Sequence, residues 1–165
     1  RYRKILLLSL AAVVVLSAVL YLRPRPFTSV YDDIDWGVVG DDDACYRFLS
    51  VAVYPAVRET WYFEIPPEPL QEIMVGTNIR RSIPSHYRFD EESVSFSLPI
   101  GEEESLLWIR ISDVGYISCK TNDEKNWETW VITGGEPFAR LYDLMEHGEK
   151  KSPEEQMEEW AEEAA

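Results

Sequence analysis

Reactive side chains are scarce in this sequence, with two cysteines and two histidines among 165 residues. There is no Cys-x-x-Cys pair, which removes the usual zinc ligand sets, and Gly-x-Ser-x-Gly, a phosphate loop and His-Glu-x-x-His are missing as well. His86 stands in Pro-Ser-His-Tyr, and His147 stands beside Gly148 at an expected helix end, where a cation is favoured electrostatically. Basic residues also thin out beyond the N-terminus. Residues 27–165 hold 11 Lys and Arg against all 30 Asp and Glu, a net charge near −19. Charge of that sign argues against nucleic acid and anionic lipid as partners, because both call for a basic footprint. An aromatic content of 13% argues against disorder.

What is present is a long apolar run. Residues 5–22 contain no charge, no Pro and no Gly, and only Ser9, Ser17 and Tyr21 are polar. As a helix this run measures about 27 Å, close to the roughly 30 Å hydrocarbon core of a bilayer. It reads as a single membrane span. Arg1, Arg3 and Lys4 precede it and Arg23 and Arg25 follow it, a small bias that keeps the N-terminus in the cytoplasm and puts the rest of the chain outside a cytoplasmic membrane. Two alternatives stay open: a cleaved signal peptide, disfavoured by the length of the run and a poor cleavage pattern around Ser17 and Ala18, and the inverted topology. No Cys follows the run to accept a lipid.

Export bears on Cys45 and Cys119. In an oxidising compartment two thiols in β-rich segments are expected to pair, and the closed loop of about 75 residues is worth on the order of 4 kcal/mol. The alternative is two buried thiols packing as small hydrophobes.

Residues 31–43 carry six aspartates. Asp33, Asp35, Asp41 and Asp43, with Gly37, are the candidate metal ligands, since calcium takes hard oxygen donors at close spacing. Counting from Asp33, the twelfth position holds Ala44 where a calcium loop has a bidentate Glu, so the plainer reading is a solvated loop. No cofactor is expected.

Strand patterns dominate the middle of the chain. Residues 44–54 are apolar on nearly both phases, as in a strand covered on two sides, and residues 57–65 alternate. Pro66, Pro67 and Pro69 are expected to break regular structure, and residues 70–82 are ambiguous between strand and helix. Arg80 and Arg81 within them read as a surface pair. Residues 93–100 place Val94, Phe96, Leu98 and Ile100 on one phase, a turn at residues 101–105 follows, and residues 106–112 return with Leu107, Ile109 and Ile111. Further strands are expected at residues 114–120 and 127–133, making a four-strand meander.

Beyond Gly134 and Gly135 the period lengthens. Pro137 suits a first helical turn, Phe138, Leu141, Tyr142 and Met145 fall at three- and four-residue steps, and Gly148 ends the run. Ser152, Pro153 and Glu155 spell a capping box opening an acidic helix whose apolar stripe is only Met157, Trp160 and Ala161.

The expected architecture is mainly β with C-terminal helices: one N-terminal transmembrane helix, then an antiparallel sandwich or open barrel of six to eight strands. Residues 1–26 form the anchor with its basic flanks and, from Pro24 to Pro26, a stiff, extended spacer lifting the domain off the bilayer, residues 27–148 the β-rich domain ending in a helix, and residues 149–165 the acidic helix. The expected function is non-catalytic, a protein-binding module such as an inhibitor, an immunity-type protein or an accessory subunit of an envelope complex. Its partner is expected to be another protein; the acidity has solubility or adaptation to high salt as one explanation, and if it serves recognition instead, the partner is a basic protein met by the acidic surface with Trp36, Glu155, Glu159 and Trp160 as contacts. The second class is a calcium- or small-ligand-binding sensor. A remote third is a carboxylate-based glycan-active enzyme, for which the sequence offers only clusters such as Glu102, Glu103 and Glu104.

Overall fold

The computed structural model describes residues 2–37, 49–54, 61–82, 92–101, 105–122, 124–148, 150–152, 154–155, 157–158 and 161, with the backbone alone for residues 49–54 and 64. Helix α1 (Tyr2–Leu22) buries none of its side chains, and it is long and apolar enough to cross a membrane. Strand β1 (Arg25–Pro26) and one 3-10 turn (Phe27–Ser29) follow, then β2 (Leu49–Tyr54), β3 (Trp61–Ile65), α2 (Pro67–Gly76) and β4 (Asn78–Arg81). The second half runs β5 (Ser93–Ile100), β6 (Ser105–Ser112), β7 (Tyr116–Thr121), β8 (Glu128–Gly134), α3 (Pro137–Met145) and β9 (Lys150–Lys151).

The nine described strands form one antiparallel sheet in the order β1-β4-β8-β7-β6-β5-β2-β3-β9, open at both ends among the described residues. Its centre is the expected meander. Gly101, directly after β5, and Gly115, in the turn between β6 and β7, both have positive φ, where a side chain would be strained. At the β6–β7 turn the Tyr116 amide donates to Ser112 Oγ at 3.1 Å.

Alternation assigns the faces. Val94, Phe96, Leu98, Leu107, Ile109, Ile111, Ile117 and Trp130 are buried, and α2, α3 and the segment around Phe27 cover them with Leu70, Ile73, Met74, Leu141 and Met145. Removing one such aliphatic side chain from water is worth about 1.5–3 kcal/mol. The opposite phase carries Ser95, Ser97, Trp108, Arg110, Lys120 and Thr129, which are exposed or half-buried, together with Ser93, Ser112 and Ser118, which are buried. One helix-covered face and one polar face account for the clean period of two.

Three expectations need correction. The proline run does not end regular structure; Pro67 occupies the first turn of α2, where a missing N–H costs nothing, so the run starts a helix. The ambiguous stretch is both things in succession, helix and then β4. The backbone of residues 24–26 is extended as expected, but Arg25 and Pro26 pair with Ile79 and Asn78, so this segment fastens the domain to the helix exit and does not hold it away. Likewise Lys150 and Lys151 pair with Phe63 and Tyr62 as a sheet edge, and the acidic segment begins after them.

Candidate functional site at the helix exit

A chain of side-chain contacts runs from the end of α1 into the core. The Arg81 guanidinium lies 5.6 Å from the Tyr21 ring centroid and 5.1 Å from that of Trp130. Trp130 Nε1 donates to the Tyr31 hydroxyl at 3.2 Å, and that hydroxyl donates to Glu128 Oε2 at 3.4 Å. Tyr31 also stacks at a tilt on Phe27, 5.0 Å away, which ties the chain to the covered face of the sheet. Cation–π stacking of this kind is worth about 0.5–1 kcal/mol at exposed sites and more where water is excluded.

Cys119 is buried beside this chain, next to Tyr31. Burial is the main cause that pushes the Cys119 thiol above its usual range, with the carboxylates of Glu128 and Glu124 adding to it. Tyr31 is raised as well, by burial first and then by Cys119, with the Trp130 hydrogen bond acting the other way. Both groups therefore hold their protons at neutral pH. A thiolate nucleophile or a phenolate base needs the reverse, so this cluster is a packed joint. Cys119 carries a free thiol in the structure, and Cys45, its expected partner, lies outside the described residues, so the bridge remains an expectation.

Asp33 and Asp35 are exposed on a segment laid against the end of β5. Ile34 forms a bridge with Ile100, the Asp35 amide donates to the Pro99 carbonyl at 3.2 Å, and the Gly101 amide donates to the Asp33 carbonyl at 3.0 Å. Asp35 Oδ1 accepts the Gly37 amide at 2.9 Å, a local turn in which the carboxylate serves the backbone. Among the described residues no group of three or more His, Cys, Asp or Glu is placed to hold a metal. Asp41 and Asp43 lie outside the described residues.

Of the expected partner contacts, Trp36 is half-buried against the core, so its ring is shared between core and surface. Glu155 is exposed and closes the capping box: Ser152 N donates to Glu155 Oε2 at 2.7 Å and Glu155 N donates to Ser152 Oγ at 3.3 Å. Those bonds hold the Glu155 carboxyl below its usual value, the Ser152 backbone N–H first. Glu159 and Trp160 lie outside the described residues.

Trp108 is a candidate contact that no motif in the sequence marks. It sits on the polar face between Ser97 and Lys120, and outside α1 it is the one exposed aromatic among the described residues, at 44%. Its alternation with Leu107 and Ile109 was the available signal. Its Nε1 donates to Asn122 Oδ1 at 2.9 Å, which fixes the ring on that face. A second joint fixes α3: the Tyr142 hydroxyl donates to Glu92, and burial first, then that carboxylate, raises Tyr142.

No family model, no curated protein and no solved structure matches this chain.

Proposed function

We propose that this chain is a non-catalytic, membrane-anchored protein-binding module whose domain stands on the outer face of a cytoplasmic membrane. The observation that carries the reading is the division of the sheet. Helices and the segment around Phe27 cover one face, and the other presents Trp108 among Ser97, Arg110 and Lys120, in a domain that follows a helix long and apolar enough to cross a membrane. An exposed aromatic set among polar side chains is the composition of an interface hot spot. The acidic C-terminal segment supplies steering for a basic partner, and Trp108 joins Trp160 as an anchor.

The test is recovery of partners from gently solubilised membranes. One dominant basic protein favours an inhibitor or immunity role, and a stoichiometric membrane assembly favours an accessory subunit. Trp108→Ala and truncation after Lys151 should each weaken recovery, and higher salt should weaken it further. A partner held equally by both variants at low and high salt refutes this surface as the interface. For orientation, a reporter active only in the cytoplasm, fused after Ala165, should be silent, and full activity refutes the outer location.

A further inference from the structure

Folding brings two distant pairs of arginines together. Arg25 pairs with Ile79 and Pro26 with Asn78, and continuing that antiparallel register sets Arg23 opposite Arg81. Neighbouring strands stand about 4.8 Å apart, so the two arginine pairs meet at one edge of the sheet although they lie more than 50 residues apart in the chain; Arg81 shares the Trp130 phase of β4 and Arg80 takes the opposite phase, so the arginines flank that edge on both faces. Arg23, Arg25 and Arg81 are exposed and Arg80 is half-buried. Neither β1 nor β4 contains an acidic residue. This edge lies where α1 ends, with Arg81 stacked on Tyr21 of its last turn.

We infer that Arg23, Arg25, Arg80 and Arg81 form a collar that binds the anionic headgroups of phospholipids where α1 leaves the bilayer. The inference rests on reading α1 as a membrane span. A helix that spans the hydrocarbon core delivers the next residues into the headgroup layer, where a Tyr such as Tyr21 marks the boundary. Guanidinium edges match phosphate oxygens with paired N–H donors. Charge complementarity selects the occupant. The rest of the domain is strongly acidic and is repelled by an anionic surface, so attraction confined to this edge also orients the domain. The sheet order reinforces this, since the acidic segment follows β9, at the opposite end from β1. Net charge had argued against anionic lipid; the local grouping outweighs it because screening limits each charge to a range of about 8–10 Å.

The experiment reconstitutes the full chain into nanodiscs of phosphatidylcholine mixed with phosphatidylglycerol and measures the ratio of the two lipids retained by the protein. Wild type should enrich phosphatidylglycerol, and each arginine removed should lower the enrichment by up to about fivefold at low salt. R80Q/R81Q isolates the folded contribution, because the flanking Arg23 and Arg25 stay in place. R80Q leaves the Trp130 stack untouched and should lower enrichment, while R81K keeps the charge without the paired donors and should lower it less than R81Q. Unchanged enrichment in R80Q/R81Q, with thermal unfolding like that of wild type, overturns the collar and leaves the membrane anchor standing. Stabilisation by inorganic phosphate equal to that by phosphatidylglycerol nanodiscs overturns it in favour of a phosphate site. Failure of the chain to remain in nanodiscs at all overturns the reading of α1, and the collar with it.

Discussion

Gly135 is the position where a single methyl group should do most damage per atom added. It joins β8 to α3 with φ of +92°, and a Cβ there would stand 2.5 Å from the Gly76 carbonyl oxygen and 2.8 Å from Thr77 Cα. Both obstacles are backbone and cannot rotate away. Thr77 is moreover fixed: it is fully buried, its Oγ1 donates to the Ile73 carbonyl at 2.8 Å, and its own carbonyl accepts the Phe27 amide at 2.8 Å. The left-handed conformation costs an alanine about 1–2 kcal/mol, and forcing backbone apart in a packed interior costs about 1–3 more. Gly135→Ala should therefore cost about 2–5 kcal/mol of the roughly 5–15 available to a domain of this size. Denaturant unfolding of the detergent-solubilised chain, followed by tryptophan fluorescence, should show the midpoint fall by about 1–2 M in urea at constant slope. Gly115→Ala is the control, since its φ is +86° but nothing lies within 4 Å of the added carbon. It should show the conformational cost alone. Equal losses at the two positions would refute the steric argument, and a loss below about 0.5 kcal/mol at Gly135 would refute the whole of it.

Three further outcomes follow from the buried and capped groups. Tyr31 is raised above its usual 10.0, so the stability it contributes is complete below that pH and is lost as the pH climbs above it; Tyr31→Phe should flatten the alkaline limb of a stability profile, and an unchanged limb would contradict its burial. If Cys45 and Cys119 are bridged, the denatured, unreduced protein should take up no thiol label and reduction should cost about 2–5 kcal/mol, whereas two labelled thiols would rule the bridge out. Glu155 is lowered, so its capping contribution is present above its usual 4.5 and lost as the pH falls below it. Helicity of the C-terminal segment should then fall both on acidification and in Ser152→Ala, a cap loss of about 0.5–2 kcal/mol, and helicity indifferent to both would dismiss the capping box.

The parts of this fold that were legible in the sequence are those whose pattern repeats. Val94, Phe96 and Leu98 against Ser95 and Ser97 declare a strand facing two environments, and β5 spans Ser93–Ile100, the very residues that pattern predicts. The stripe of Leu141 and Met145 did the same for α3. What stayed hidden has no period to show. β1 and β9 are two residues long, and their pairing depends on strands far away in the chain. Pro67 misled because the same missing N–H that breaks a helix interior is harmless in its first turn. The joint of Arg81, Trp130 and Tyr31 was illegible for a different reason: its members come from β4, β8 and the segment after β1, and only sheet register makes them neighbours.

Register also separates two uses of positive charge that a single count would merge. During insertion the chain is unfolded, and orientation follows basic residues within about 15–20 positions of the span. Arg1, Arg3 and Lys4 then oppose Arg23 and Arg25, while Arg80, 58 residues beyond Leu22, has no influence. After folding the ranking changes, because β4 carries Arg80 and Arg81 to the same edge of the sheet as Arg23 and Arg25, the edge that meets the headgroups when α1 is read as a span. Neutralising Arg80 and Arg81 should thus leave the topology reporter silent and still abolish most of the lipid selectivity. Neutralising Arg1, Arg3 and Lys4 should do the opposite, placing a fraction of domains on the cytoplasmic side without changing which lipid a folded chain retains. A reporter that responds to R80Q/R81Q would mean that β4 forms before the span is committed, and the separation between insertion and folding would fall.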